Sequence, residues 1–176
     1  MRQQGVTGQS TELKVRSLLK AVGLEAEKPI PDNGVDLKVW HPGNPEKKLC
    51  VQVKGRGKSQ KNRRYRWFQI RTTEKQRNDA VKSGLPICEA WQKKVNLCDF
   101  FVLASEKHEE YWVFPKDIVH ELVRLNKNKY GDREDNKSGK QAELDLDIEH
   151  EGRRLTETYK PYLNNFELVR EKLNNA

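Results

Sequence analysis

The sequence predicts one α/β domain in which a mixed sheet is flanked by helices, in the order helix–strands–helix–strands–helix. Three observations predict it. An apolar stripe at helical spacing lies near the start, two alternating segments are split by a dense turn signal, and two further short apolar runs precede a helix opened by proline. At 176 residues the chain has the length of a single domain and can bury a core.

Val15, Leu18, Leu19 and Val22 share one side of a helix expected over 11–22, with Ser10 or Thr11 as its cap and Gly23 as its stop. Glu12 lies seven positions before Leu19, which is nearly in line with it on a helix. It therefore falls at the edge of the apolar stripe, where a carboxylate is costly without a partner. Residues 35–39 and 49–54 alternate as strands, and His41-Pro-Gly-Asn-Pro45 between them signals a turn, so an antiparallel hairpin is expected. Val35, Leu37 and Val39 then take one face of their strand, and Leu49, Val51 and Val53 one face of its partner. Asp36, Gln52 and Lys54 converge on the other, because side chains repeat every second residue.

Trp67-Phe-Gln-Ile70 reads as a short strand, and Thr73 caps a helix running to Lys82 that Gly84 and Pro86 end. Residues 87–95 form another helical piece. Residues 99–104 are short and apolar enough for a buried strand, 111–114 for its neighbour, and Pro115 opens a helix to Leu125. Past that point the composition changes. Residues 126–154 are highly charged and read as a long loop, and 159–173 regain aromatics that dock back. The expected division is a core over 1–125 and a charged, irregular extension over 126–176.

The surface is dense in charge: 34% of residues are charged and 35% apolar, with a net charge of +8 and a pI near 9.4. That balance suits a polyanion such as nucleic acid. No apolar run is long enough to span a membrane, and the polar start lacks a secretory h-region, so a cytoplasmic protein is expected. The three cysteines form no Cys-x-x-Cys pair and the four histidines are isolated, which leaves no zinc pattern.

Hydrolysis of a phosphodiester needs an activated water and a way to stabilise charge on phosphorus, and a hard divalent cation on oxygen ligands supplies both. Asp36 offers a charged ligand and Gln52 a neutral one. Lys54 is placed to orient or deprotonate water, or to hold the phosphate charge. Directly downstream, Arg56, Lys58, Lys61, Arg63, Arg64 and Arg66 form a stretch without acids that suits a phosphate backbone.

Asp32-Asn-Gly-Val-Asp36-Leu followed by Val51-Gln-Val-Lys54-Gly55 resembles the bipartite motif of the PD-(D/E)xK nuclease superfamily, which includes restriction endonucleases, Holliday-junction resolvases and some homing endonucleases. Cys98-Asp-Phe-Phe-Val-Leu and Tyr111-Trp-Val-Phe-Pro115 are similar to the later core strands of that fold. The resemblance covers roughly Gly5 to Leu125. It implies a restriction-endonuclease-like core of αβββαβ type, Asp36 as the metal-binding aspartate, Lys54 as the catalytic lysine and Glu12 as the first-helix glutamate. Gln52 departs from the family's usual acid and lowers the charge of the site. The implied function is a magnesium-dependent DNA endonuclease, with manganese as a substitute ion and a restriction-type role on duplex DNA. Alternatives are a junction resolvase, a homing endonuclease, or a nucleic-acid-binding module without chemistry. One such site attacks one strand, so a homodimer or larger assembly is expected.

Overall fold

The computed structural model describes residues 4–31, 34–56 and 65–175. The chain runs α1 (Gln4–Ala21), β1 (Glu25–Glu27), β2 (Leu37–His41), β3 (Asn44–Arg56), β4 (Trp67–Arg71), α2 (Glu74–Lys82), a 3-10 turn over 87–89, and α3 (Trp91–Val95). It continues through β5 (Phe100–Ser105), β6 (Glu110–Pro115), α4 (Lys116–Tyr130), α5 (Glu134–Lys137), β7 (Gln141–Asp145), β8 (Glu149–His150), β9 (Arg153–Arg154), α6 (Leu155–Thr158) and α7 (Glu167–Asn175).

α1 starts well before the expected cap, because its first turns are polar and show no periodicity to read. Its end is where Gly23 puts it: φ is +80°, and the Gly23 and Leu24 amides close on the Lys20 and Leu19 carbonyls at 3.0 and 3.1 Å. α2 carries a full capping box, with the Thr73 hydroxyl accepting from the Gln76 amide and the Gln76 side chain accepting from the Thr73 amide.

The main sheet has five strands in the order β1-β2-β3-β5-β6, with β3 and β5 parallel and the other pairs antiparallel. The expected hairpin is β2–β3, with Leu37 opposite Val51 and Val39 opposite Leu49. Two apolar layers cover the sheet. On one face Val15 and Leu19 of α1 and Val169 and Leu173 of α7 pack over Leu37, Val51, Val53, Phe100 and Val102. On the other, Trp91, Val95, Val119 and Leu122 pack with Phe101, Leu103, Trp112 and Phe114; Val35, expected beside Leu37 and Val39, joins this layer instead because it precedes β2.

The expected loop over 126–154 is replaced by ordered elements. α4 continues through Asn126 to Tyr130, and β7 pairs antiparallel with β4 as a two-stranded ribbon, Trp67 opposite Asp145 and Ile70 opposite Ala142. Phe68, Ile70, Ala142 and Leu144 give the ribbon an inner face that joins the second apolar layer. Asn126 and Asp145 lock α4 to β7: the Asn126 side-chain Oδ1 accepts from the Asp145 backbone amide at 2.9 Å, and the Tyr130 hydroxyl donates to the Asp145 carboxylate at 2.5 Å. These buried polar groups are satisfied inside the fold, so a charged sequence here is compatible with order.

Candidate active site

The hairpin register, extended by one residue beyond Leu37–Val51, sets Asp36 opposite Gln52. Asp36 precedes β2, where its amide donates to the Val51 carbonyl at 3.1 Å. The approach is fixed by Gly34, whose φ is +88°; a Cβ there would lie 2.5 Å from the Lys94 ammonium, which itself donates to the Gly34 carbonyl at 3.1 Å. Gln52 is 2% exposed in mid-strand. Its amide nitrogen donates to Asp36 Oδ2, and the same oxygen accepts from the Val53 amide at 2.7 Å. The Gln52 side-chain oxygen is buried and has no hydrogen-bond partner among the described residues. An unmade bond at such a site costs about 1–3 kcal/mol.

Lys54 follows two residues on, half-buried and on the same face of β3 as Gln52, and Arg56 continues the row. Beneath the row, Gly55 faces α1: a Cβ at this position would sit 2.7 Å from the Thr11 hydroxyl oxygen, so the missing side chain lets the helix close onto the strand. The Thr11 hydroxyl donates to the Glu106 carboxylate at 3.0 Å. The structure therefore brings Asp36, Gln52 and Lys54 to one strand pair. Glu12 lies on α1, over the opposite apolar layer, where its carboxylate meets Lys28 Nζ at 3.3 Å. It shares a shallow pocket with Leu37, beside Asp36, but forms no cluster with it: among the described residues, no three His, Cys, Asp or Glu side chains group to hold a metal.

Behind the site Cys98 is buried, and its thiol is pushed up to about 12, first by burial and then by the nearby Cys50, Asp36 and Asp99, against Lys94. Cys50, Cys88 and Cys98 are all free thiols, Cys98 buried and the other two half-buried.

The basic stretch divides. Lys58, Lys61, Arg63 and Arg64 lie outside the described residues. Arg56 donates to the Trp67 carbonyl, and its guanidinium lies 4.8 Å from the centre of the Trp67 ring. Arg66, expected to hold phosphate, is engaged within the fold. It forks onto Glu110 at 2.6 and 2.7 Å and reaches Asp147 at 3.1 Å. Burial pushes the Glu110 carboxyl up, but the Arg66 bonds outweigh it and hold the group below its ordinary value. A guanidinium held in this fork is a brace between β6 and the β7–β8 connection.

Sequence reasoning missed Glu143. It stands on β7, 2% exposed, opposite Gln69 of β4, and accepts from the Gln141 side-chain Nε2 at 3.0 Å and from Arg133 at 3.4 Å. The signal was present: Gln141-Ala-Glu-Leu-Asp-Leu-Asp-Ile148 alternates without a break.

The fold has a counterpart among solved structures. It is similar to that of I-Ssp6803I, a bacterial homing endonuclease, with a TM-score of 0.55 and 20% sequence identity over 98% of this chain and 94% of that one. The likeness bears out the expected mixed-sheet α/β fold and extends it past residue 125 into the C-terminal elements. No family model and no curated protein matches the chain. Among the described residues no helix is long and apolar enough to cross a membrane.

Proposed function

We propose that this chain is a metal-dependent DNA endonuclease that hydrolyses phosphodiesters at Asp36, Gln52 and Lys54. The observation that carries the reading is the buried Gln52 oxygen without a partner, set beside a carboxylate and one strand repeat from a lysine. Hard oxygen donors of this kind suit magnesium or manganese, which bind through few protein ligands and complete their shell with water and substrate phosphate. When bound, such a cation neutralises phosphate charge and acidifies a water. Asp36 supplies the charged oxygen. Gln52 turns its nitrogen to Asp36, and rotating its terminal amide would present the oxygen to the same side, at the loss of that one hydrogen bond. Lys54 holds the non-bridging phosphate oxygens or takes part in positioning the attacking water. Supporting the substrate class are the net charge of +8 and the fold shared with a homing endonuclease.

A restriction-type role and a homing role use the same chemistry, and the neighbour's activity favours the homing role. A two-fold assembly would bring a second site to the other strand. The test is cleavage of plasmid and of varied linear duplexes by the purified full-length chain, in magnesium, in manganese and in chelator. Asp36→Ala and Lys54→Ala should each lower the cleavage rate on the order of 10²-fold or more while retaining DNA binding. A wild type that binds DNA yet cuts none of these substrates in either metal overturns the endonuclease reading.

A further inference from the structure

We infer that the β4–β7 ribbon is the sequence-reading element of the proposed nuclease, entering the major groove of duplex DNA with Gln69, Arg71 and Gln141 against base edges. The inference rests on the endonuclease reading for its partner, but it stands on a separate surface.

The ribbon has two chemically distinct faces. Its inner face is Phe68, Ile70, Ala142 and Leu144, all buried in the second apolar layer. Its outer face carries Gln69, Arg71, Gln141 and Glu143, with Gln69 opposite Glu143 and Arg71 opposite Gln141. A two-stranded antiparallel ribbon is one of the shapes the major groove admits, and arginine and glutamine are side chains that pair there with guanine and adenine. Residues on one face of a strand recur at roughly 7 Å. That is about two base-pair steps of the duplex.

These side chains are organised from below. Arg71 donates to the Gln69 side-chain oxygen at 3.2 Å, and the Gln141 amide donates to Glu143 at 3.0 Å. Glu143 also draws on Arg133, Gln69, Trp67 and Arg56. A carboxylate buried to 2% adds nothing to an apolar core. Here it fixes the rotamers of two amides at the edge of solvent, which lowers the entropy lost on binding. Positive charge frames the same face: Arg56 lies 4.8 Å and Arg133 5.5 Å from the Trp67 ring centre, and Arg71 is exposed.

The ribbon also continues the active site. Gln52, Lys54 and Arg56 share one face of β3, and Arg56 bonds to the first residue of β4. A duplex with its phosphate at Lys54 would therefore have the ribbon as its next neighbour along this row.

The experiment is selection of bound sequences from a randomised duplex library without divalent metal, so that the readout does not depend on cleavage. Full-length wild type is compared with Gln69→Ala, Arg71→Ala and Gln141→Ala, and unchanged circular dichroism and thermal midpoint confirm folding. Wild type should enrich a motif containing guanine and adenine, and each variant should lose preference on the order of tenfold at one or two positions. The two glutamine variants, which remove no charge, should keep the wild-type salt slope. Identical motifs in wild type and all variants, or no motif in wild type, overturn the inference. A wild type that enriches a motif which the variants relax, yet never cuts, supports the ribbon and overturns the endonuclease reading.

Discussion

Gln52 and Glu143 are both 2% exposed in the middle of strands, yet different groups surround them. Gln52 is neutral, sits beside a carboxylate and keeps an acceptor oxygen without a partner. Glu143 brings a carboxyl of its own: the Gln141 side chain and Arg133 donate to its Oε1, with Arg56, Gln69 and Trp67 close by, while its Oε2 is buried without a hydrogen-bond partner among the described residues. The contrast separates two uses of a buried polar group. One is left incomplete, so that something from outside can complete it. The other draws two donors onto one oxygen and serves to hold those neighbours still.

Exchanging the two chemistries tests this contrast, and the larger effect belongs to the incomplete centre. Gln52→Ala should reduce cleavage by about 10- to 100-fold, since the strand face offers no other oxygen at that position. Gln52→Glu should retain cleavage and reach half-maximal rate at lower magnesium, because a second carboxylate restores charge to the cation site. Rate measured against metal concentration for the three proteins decides it. Equal metal dependence in all three would place Gln52 outside the metal site.

A smaller effect is expected from Glu143→Gln. Burial raises the Glu143 carboxyl above its ordinary value, against the opposing pull of Arg133, Gln69, Trp67 and Arg56. A carboxyl raised in the folded state binds its proton more tightly there than in the unfolded chain. Its contribution to stability is therefore complete below the ordinary carboxyl range and is lost as pH rises through the raised value. Stability of wild type relative to Glu143→Gln should accordingly fall across the window that opens at the ordinary carboxyl range and runs upward in pH, as read from denaturant midpoints. A constant difference across that window would show that the carboxyl is not raised.

Much of this arrangement is legible in the residues themselves. Alternation and a Pro-Gly turn fix the β2–β3 hairpin, and period-two geometry alone puts Asp36, Gln52 and Lys54 on one face. What stays hidden depends on distant partners. β7 reads as a charged loop because Glu143 and Asp145 are buried only by virtue of Arg133, Gln141, Asn126 and Tyr130, none of which is visible as a partner from local composition. Arg66 reads as a phosphate ligand for the same reason: Glu110 and Asp147, which hold it, stand 44 and 81 residues away. Glu12 is legible as an edge carboxylate in need of a partner, and Lys28 supplies one.

β3 is the middle strand of its sheet, bonded on both sides and with Leu49, Val51 and Val53 buried in one apolar layer. Amides in such a strand exchange with solvent only when the whole domain opens, whereas edge elements such as β1 open locally. The strand that carries Gln52 and Lys54 is thus among the last to come apart. Under rising denaturant, catalytic competence and the bulk of secondary structure should vanish together, with no window in which a folded but disarmed protein accumulates.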